Sequence, residues 1–150
     1  MKTNRFRHYV TKILVDIMFY GGIAACIALP FVLPRLMELT GVSLQFRGQY
    51  TVVLLSSGVC AVYIMYQLKR MFKTLVSGNP FVAQNVTCLR KCAVASALIA
   101  GIFFIRSIMW FTIAGSVIVV IFFILSLFCL TLKDLFKQAI IYKEETDWTV

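Results

Sequence analysis

Acidic residues are scarce. The 150-residue chain has six Asp and Glu against fifteen Lys and Arg, and charge of either sign amounts to only 14%. Soluble domains carry about 25%. Histidine occurs once, at His8, and proline three times, at Pro30, Pro34 and Pro80. A lone histidine leaves no Ser/His/Asp set and no His-Glu-x-x-His pair, and no glycine-rich phosphate loop is present. Cys-x-x-Cys is missing, so nothing supports a thioredoxin-like or quinone-linked disulfide centre. Without a catalytic set, an enzyme is disfavoured. No catalytic residue, cofactor or metal ligand is assigned from the sequence.

What fills the chain instead is apolar. Hydrophobic residues make up 61%, and mean hydropathy is +0.89. A soluble chain this short cannot bury so much apolar surface in one core. The reading is an all-α polytopic membrane protein, a four-transmembrane-helix bundle with helix extensions on one side. With a span of roughly 20 apolar residues as the ruler, the runs fall at about 13–33, 50–68, 90–108 and 113–132. The loop is 69–89 and the tail 133–150. Pro30 and Pro34 sit where the first helix can kink or stop. The third and fourth runs are nearly fused, and from Cys92 to Leu132 the only charge is Arg106. That length suits two spans, so a hairpin turn is expected within 107–113, near Arg106 and Trp110.

The basic residues sort by side. The N-terminal tail has Lys2, Arg5, Arg7 and Lys12. The middle loop region has Lys69, Arg70, Lys73, Arg90 and Lys91, and the C-terminal tail Lys133, Lys137 and Lys143. Those twelve fall on one side; Arg35, Arg47 and Arg106 make three on the other. The positive-inside rule then puts both termini and the middle loop in the cytoplasm. Membrane orientation explains the +9 charge without direct nucleic-acid binding. The N-terminus also imitates a secretory signal, and Ile23-Ala24-Ala25-Cys26 resembles a lipobox. The apolar run continues past Cys26 to Leu33, as a full span does.

In the middle loop, the second helix is expected to continue to about Val76. Met71, Phe72, Leu75 and Val76 form its apolar face, and Lys69, Arg70 and Lys73 its basic one. Gly78 suits a helix C-terminus, and Asn79-Pro80 is a turn signal. A new helix starts near Phe81–Ala83 and carries Asn85, Arg90 and Lys91. Beyond the fourth span, Leu132, Leu135, Phe136, Ala139 and Ile140 share a helical face. The chain ends Glu144-Glu145-Thr146-Asp147-Trp148-Thr149-Val150. That segment is either a solvated end or a docking strand.

Gly78-Asn79-Pro80-Phe81, then Asn85 and Leu89-Arg90-Lys91, together with the Leu132–Phe136 and Glu144–Val150 endings, resemble the DUF2975 family. These are small bacterial four-span membrane proteins of unknown function. The resemblance implies a gene neighbourhood that often holds a small helix-turn-helix regulator. It transfers no catalytic residue. Val82-Ala83-Gln84 stands where the family usually has Ser or Thr plus acidic residues, so the start of that helix lacks its usual cap.

Other candidates each have two readings. Asp16 is the one acid inside a span: an ion-pair partner of Lys12 four residues away, or a proton-coupling carboxylate. Arg106 snorkels to headgroups or pairs with Glu38. Ala93, Ala97 and Gly101, at every fourth position, are expected to pack inside the bundle. Cys88 and Cys92 share a helix face but fall short of a four-ligand zinc site, so they read as small buried hydrophobes. Asn85-Val86-Thr87 is a glycosylation pattern that cytoplasmic placement would leave unused.

Two functions follow. The first is a non-enzymatic membrane regulator or sensor whose partners are the bilayer and a cytosolic DNA-binding regulator. Gly78, Asn79, Pro80, Phe81, Asn85, Arg90, Glu144, Glu145, Asp147 and Trp148 form its candidate partner surface, with the loop and the tail close together. The second is a small oligomeric ion-coupled exporter using Asp16.

Overall fold

The computed structural model describes residues 2–41, 47–78 and 81–149, with side chains from residue 9 onward. All regular structure among them is helical. Four helices follow in order: α1 Lys2–Thr40, α2 Arg47–Val76, α3 Ala83–Met109 and α4 Ile113–Trp148. Each is long and apolar enough to cross a membrane.

Two glycines end helices. Gly41 follows α1 at φ 67° and Gly78 follows α2 at φ 83°, backbone angles that glycine adopts without the clash of a Cβ. Gly78 therefore stops α2 where the sequence places its C-terminus. The first helix corrects an expectation. It does not stop near Leu33 but runs through Pro30 and Pro34 to Thr40. The prolines are four apart, so the two carbonyls they leave unbonded, those of Cys26 and Pro30, sit on one face. The rest of the ladder continues, as it can in a helix shielded from water. Thr40 Oγ1 donates to the Leu36 carbonyl at 2.8 Å in the last turn.

Between α3 and α4 the chain turns within Trp110–Thr112, inside the 107–113 window. Trp110 and Thr112 are extended, and the Trp110 amide closes α3 by donating to Arg106 O at 2.9 Å. Val82 precedes α3 in extended conformation with no side-chain cap, as its residue type dictates.

The helices pack in chain order. α1 lies against α2 alone, α2 also against α3, and α3 also against α4. The core therefore centres on α3: Cys92, Ala93, Ala95, Ile99 and Phe103 meet Ile64 of α2 and Cys129 of α4. Ser126 Oγ on α4 donates to the Ala93 carbonyl at 2.9 Å. Outward faces remain apolar, with Phe31, Phe104, Ile108 and Phe123 more than half exposed. Contiguous apolar surface on this scale belongs against lipid.

The small-residue stripe needs correction. Ala93 is buried, but Ala97 is exposed and a Cβ on Gly101 would meet open space. The buried line on α3 runs instead through Cys92, Ser96, Ile99 and Phe103. A step of four residues overshoots a helical turn by about 40°, so a strict every-fourth pattern spirals off the contact face.

The close approach lies elsewhere, between α1 and α2. A Cβ on Gly58 would stand 2.8 Å from Cys26 Sγ, and one on Gly22 would stand 3.3 Å from Val62 Cγ2. Cys26 thus lies over a glycine gap in the neighbouring helix.

Candidate functional site

The start of α1, the end of α2, the start of α3 and the end of α4 share one end of the molecule, tied together by side chains. At its centre is Asn85, in the first turn of α3 and 2% exposed. Thr74 Oγ1 of α2 contacts Asn85 Oδ1 at 2.9 Å, and it lies 2.7 Å from the Met71 carbonyl. The Asn85 amide donates to Val82 O at 2.9 Å. The polar side chain joins the two helices across their connection. Gly78 and Phe81 bracket that connection; Asn79 and Pro80 lie outside the described residues.

Phe81 reaches the other way. Its ring meets Phe136 of α4 with centroids 5.5 Å apart and planes tilted by 49°. Such a pair contributes about 0.5–1.5 kcal/mol beyond area burial. Through Thr74, Asn85, Phe81 and Phe136, this end links α2, α3 and α4. Arg90 is exposed on α3.

The tail is the main departure from expectation at this end. It is not a strand: α4 continues unbroken to Trp148, and Thr149 caps it, donating its amide to Thr146 O. Phe136, Ala139 and Ile140 are half-buried; from Ile141 to Thr149 every residue is exposed. Glu144 lies about 12 Å beyond Phe136 at 1.5 Å per residue. No ion pair among the described residues joins Glu144, Glu145 or Asp147 to Lys69, Arg70, Lys73, Arg90 or Lys91. The loop thus meets α4 through Phe136, while the acidic tip projects past it. Trp148 is 88% exposed. Val150 lies outside the described residues.

Asp16 has a different partner from the one its spacing suggests. Lys69 Nζ of α2 stands 2.9 Å from its Oδ1, with both side chains about one-third exposed. The same ammonium lies 5.2 Å from the Phe19 ring centroid and 5.0 Å from that of Tyr20. Asp16 faces the neighbouring helix, so the pair bridges α1 and α2, and Lys12 remains exposed.

At the opposite end, Arg106 stacks on Tyr50 of α2 with its guanidinium carbon 4.4 Å from the ring centroid. No ion pair among the described residues joins it to Glu38. Arg106, Tyr50 and Trp110 line an apolar cavity of about 780 Å³ between α2 and α3.

Two buried polar groups escaped sequence reasoning. Gln67 is 1% exposed and its Oε1 has no hydrogen-bond partner; Ser96 is fully buried with an unpartnered hydroxyl. The available signal for Gln67 was an amide in the last turn of an apolar run. Cys88 and Cys92 are buried in the packing of α3. Among the described residues no three His, Cys, Asp or Glu converge as a metal set.

No curated protein and no solved structure matches the chain. One family model does, over residues 3–150, and its description is a protein of unknown function. With nearly its whole length covered by that match, and four apolar helices of spanning length, the chain belongs to the DUF2975 family.

Proposed function

We propose that this is a non-enzymatic bacterial inner-membrane regulator that holds a cytosolic partner on the projecting end of α4. The observation that carries the reading is the arm itself: α4 continues past its apolar span as a helix whose residues 141–149 are all exposed. A helix that only crossed the bilayer would need about 20 residues; α4 has 36. Its tip combines Glu144, Glu145 and Asp147 with the exposed Trp148. The twelve-to-three distribution of basic residues supports a cytoplasmic location for this end.

The tip suits a small protein with a basic patch. The helix-turn-helix regulators often encoded beside members of this family fit that description. Exposed ion pairs contribute at most about 1 kcal/mol each and are screened by salt, so the acids steer the encounter. Trp148 supplies the apolar anchor, in the role Trp takes at interface centres. The exporter reading draws no such support, because its one carboxylate, Asp16, is already neutralised by Lys69.

The test is crosslinked copurification of the neighbouring helix-turn-helix protein with the full-length chain from membranes. Trp148→Ala is expected to weaken capture about 30-fold, the equivalent of roughly 2 kcal/mol at a hot spot. Deletion of 144–150 should abolish it while the four helices stay inserted. Normal capture by the deletion variant would reduce the arm to a solvated end.

A further inference from the structure

A second concavity lies between α1 and α2 at the end that carries the chain termini. It measures about 390 Å³, within the size range of small-ligand sites. Lys12 and Asp16 reach it from α1; Tyr66, Lys69, Arg70 and Lys73 reach it from α2. Asp16 and Lys69 neutralise each other at 2.9 Å. Lys12, Arg70 and Lys73 are left with no carboxylate partner among the described residues. Three uncompensated cations from two helices therefore face one pocket.

Depth along the helices narrows the ligand. Lys12 immediately precedes the first apolar run, and Lys69-Arg70 immediately follow the second, which ends at Leu68. Both runs reach the membrane surface at this level, so the cations stand where phospholipid headgroups stand. Val15 and Phe72 add apolar walls beside them. Arg70 offers paired N–H donors suited to two oxygens of one phosphate, and the lysines add compact charge. Basic pockets between spanning helices take anionic headgroups on these terms.

We propose that this pocket binds a phosphate group, supplied by the headgroup of an acidic phospholipid, clamped between α1 and α2 by Lys12, Arg70 and Lys73. Bound there, the headgroup ties α1 to the rest of the bundle, because α1 packs on α2 alone. The Asp16–Lys69 pair forms one wall and, being neutral as a pair, leaves the clamp to Lys12, Arg70 and Lys73.

The test uses the full chain purified in neutral detergent. Bound lipid is counted by native mass spectrometry, and thermal unfolding is followed with added phosphatidylglycerol, phosphatidylcholine or inorganic phosphate. Phosphatidylglycerol should bind at one site and raise the unfolding midpoint, and phosphatidylcholine should not. Arg70→Gln with Lys73→Gln should weaken phosphatidylglycerol binding about 25-fold, at roughly fivefold per cation removed near a membrane surface. Lys12→Gln alone, on the exposed side of α1, should weaken it about fivefold and guards against misfolding of the double variant. Lys91→Gln with Lys137→Gln removes as much charge outside the pocket and should leave binding unchanged. Equal loss in the Lys91/Lys137 variant would overturn the site in favour of diffuse surface charge. Equal stabilisation by inorganic phosphate alone would overturn the lipid as source. Binding of phosphatidylcholine as tightly as phosphatidylglycerol would overturn the acidic headgroup as the ligand.

Discussion

At the residue scale, the helix contacts turn on individual atoms. Gly58 leaves room for Cys26 Sγ, because a Cβ there would stand only 2.8 Å from the sulfur. Gly58→Ala forces either the sulfur or the helix aside, and overpacking of this kind costs about 1–3 kcal/mol. The expected outcome is a lower thermal unfolding midpoint in detergent. Adding Cys26→Ala removes the clashing atom and should recover most of the loss. A Gly58→Ala protein as stable as the parent would mean that α1 shifts freely on α2. The same scale explains what was illegible in the sequence. Spacing along one helix offered Lys12 to Asp16, whereas the actual partner, Lys69, comes from another helix. Periodicity names neighbours within an element; it is silent on which residues meet across an interface. Asn85 was singled out by a motif, but its contact with Thr74 depends on how the chain reverses between α2 and α3.

At the element scale, hydropathy located all four helices, and apolar length is the reason. Backbone polar groups that cross lipid must bond within their own segment, so long apolar runs have little choice of conformation. Helix ends were less legible. The prolines of α1 are strong breakers in water, yet the helix passes both. The packing face of α3 is not legible from spacing alone, since the every-fourth pattern of small residues drifts away from the contact line. This difference yields a direct comparison. Ala93 is buried, and its carbonyl accepts from Ser126 Oγ; Ala97 is exposed. Ala93→Leu should destabilise the α3–α4 contact by about 1–3 kcal/mol. Ala97→Leu should change stability by no more than about 0.5 kcal/mol. Thermal unfolding of the two variants side by side reads the difference. The reverse order would restore the stripe through Ala97 as the packing face.

At the scale of the whole molecule, the helices form an open row in chain order, with α1 touching α2 alone. The row places the start of α1, the α2–α3 connection and the end of α4 together. Its charges divide the same way: twelve basic residues belong to that end and Arg35, Arg47 and Arg106 to the other. Each basic residue near a spanning segment resists translocation, and here every connection votes alike. In the proposed orientation the acidic arm and the α1–α2 pocket lie in the cytoplasm and the Arg106–Tyr50 end outside. Reporter fusions test it. A phosphatase that is active only after export should be active when joined after Arg47 and inactive after Phe81 or Val150. A cytoplasm-dependent fluorescent reporter should give the opposite pattern. The Phe81 fusion is the most telling, because five basic residues, Lys69, Arg70, Lys73, Arg90 and Lys91, lie on its connection and flanks. An exported Phe81 reporter would invert the molecule. The arm would then face away from every cytosolic protein, and the phosphate pocket would open to the opposite leaflet.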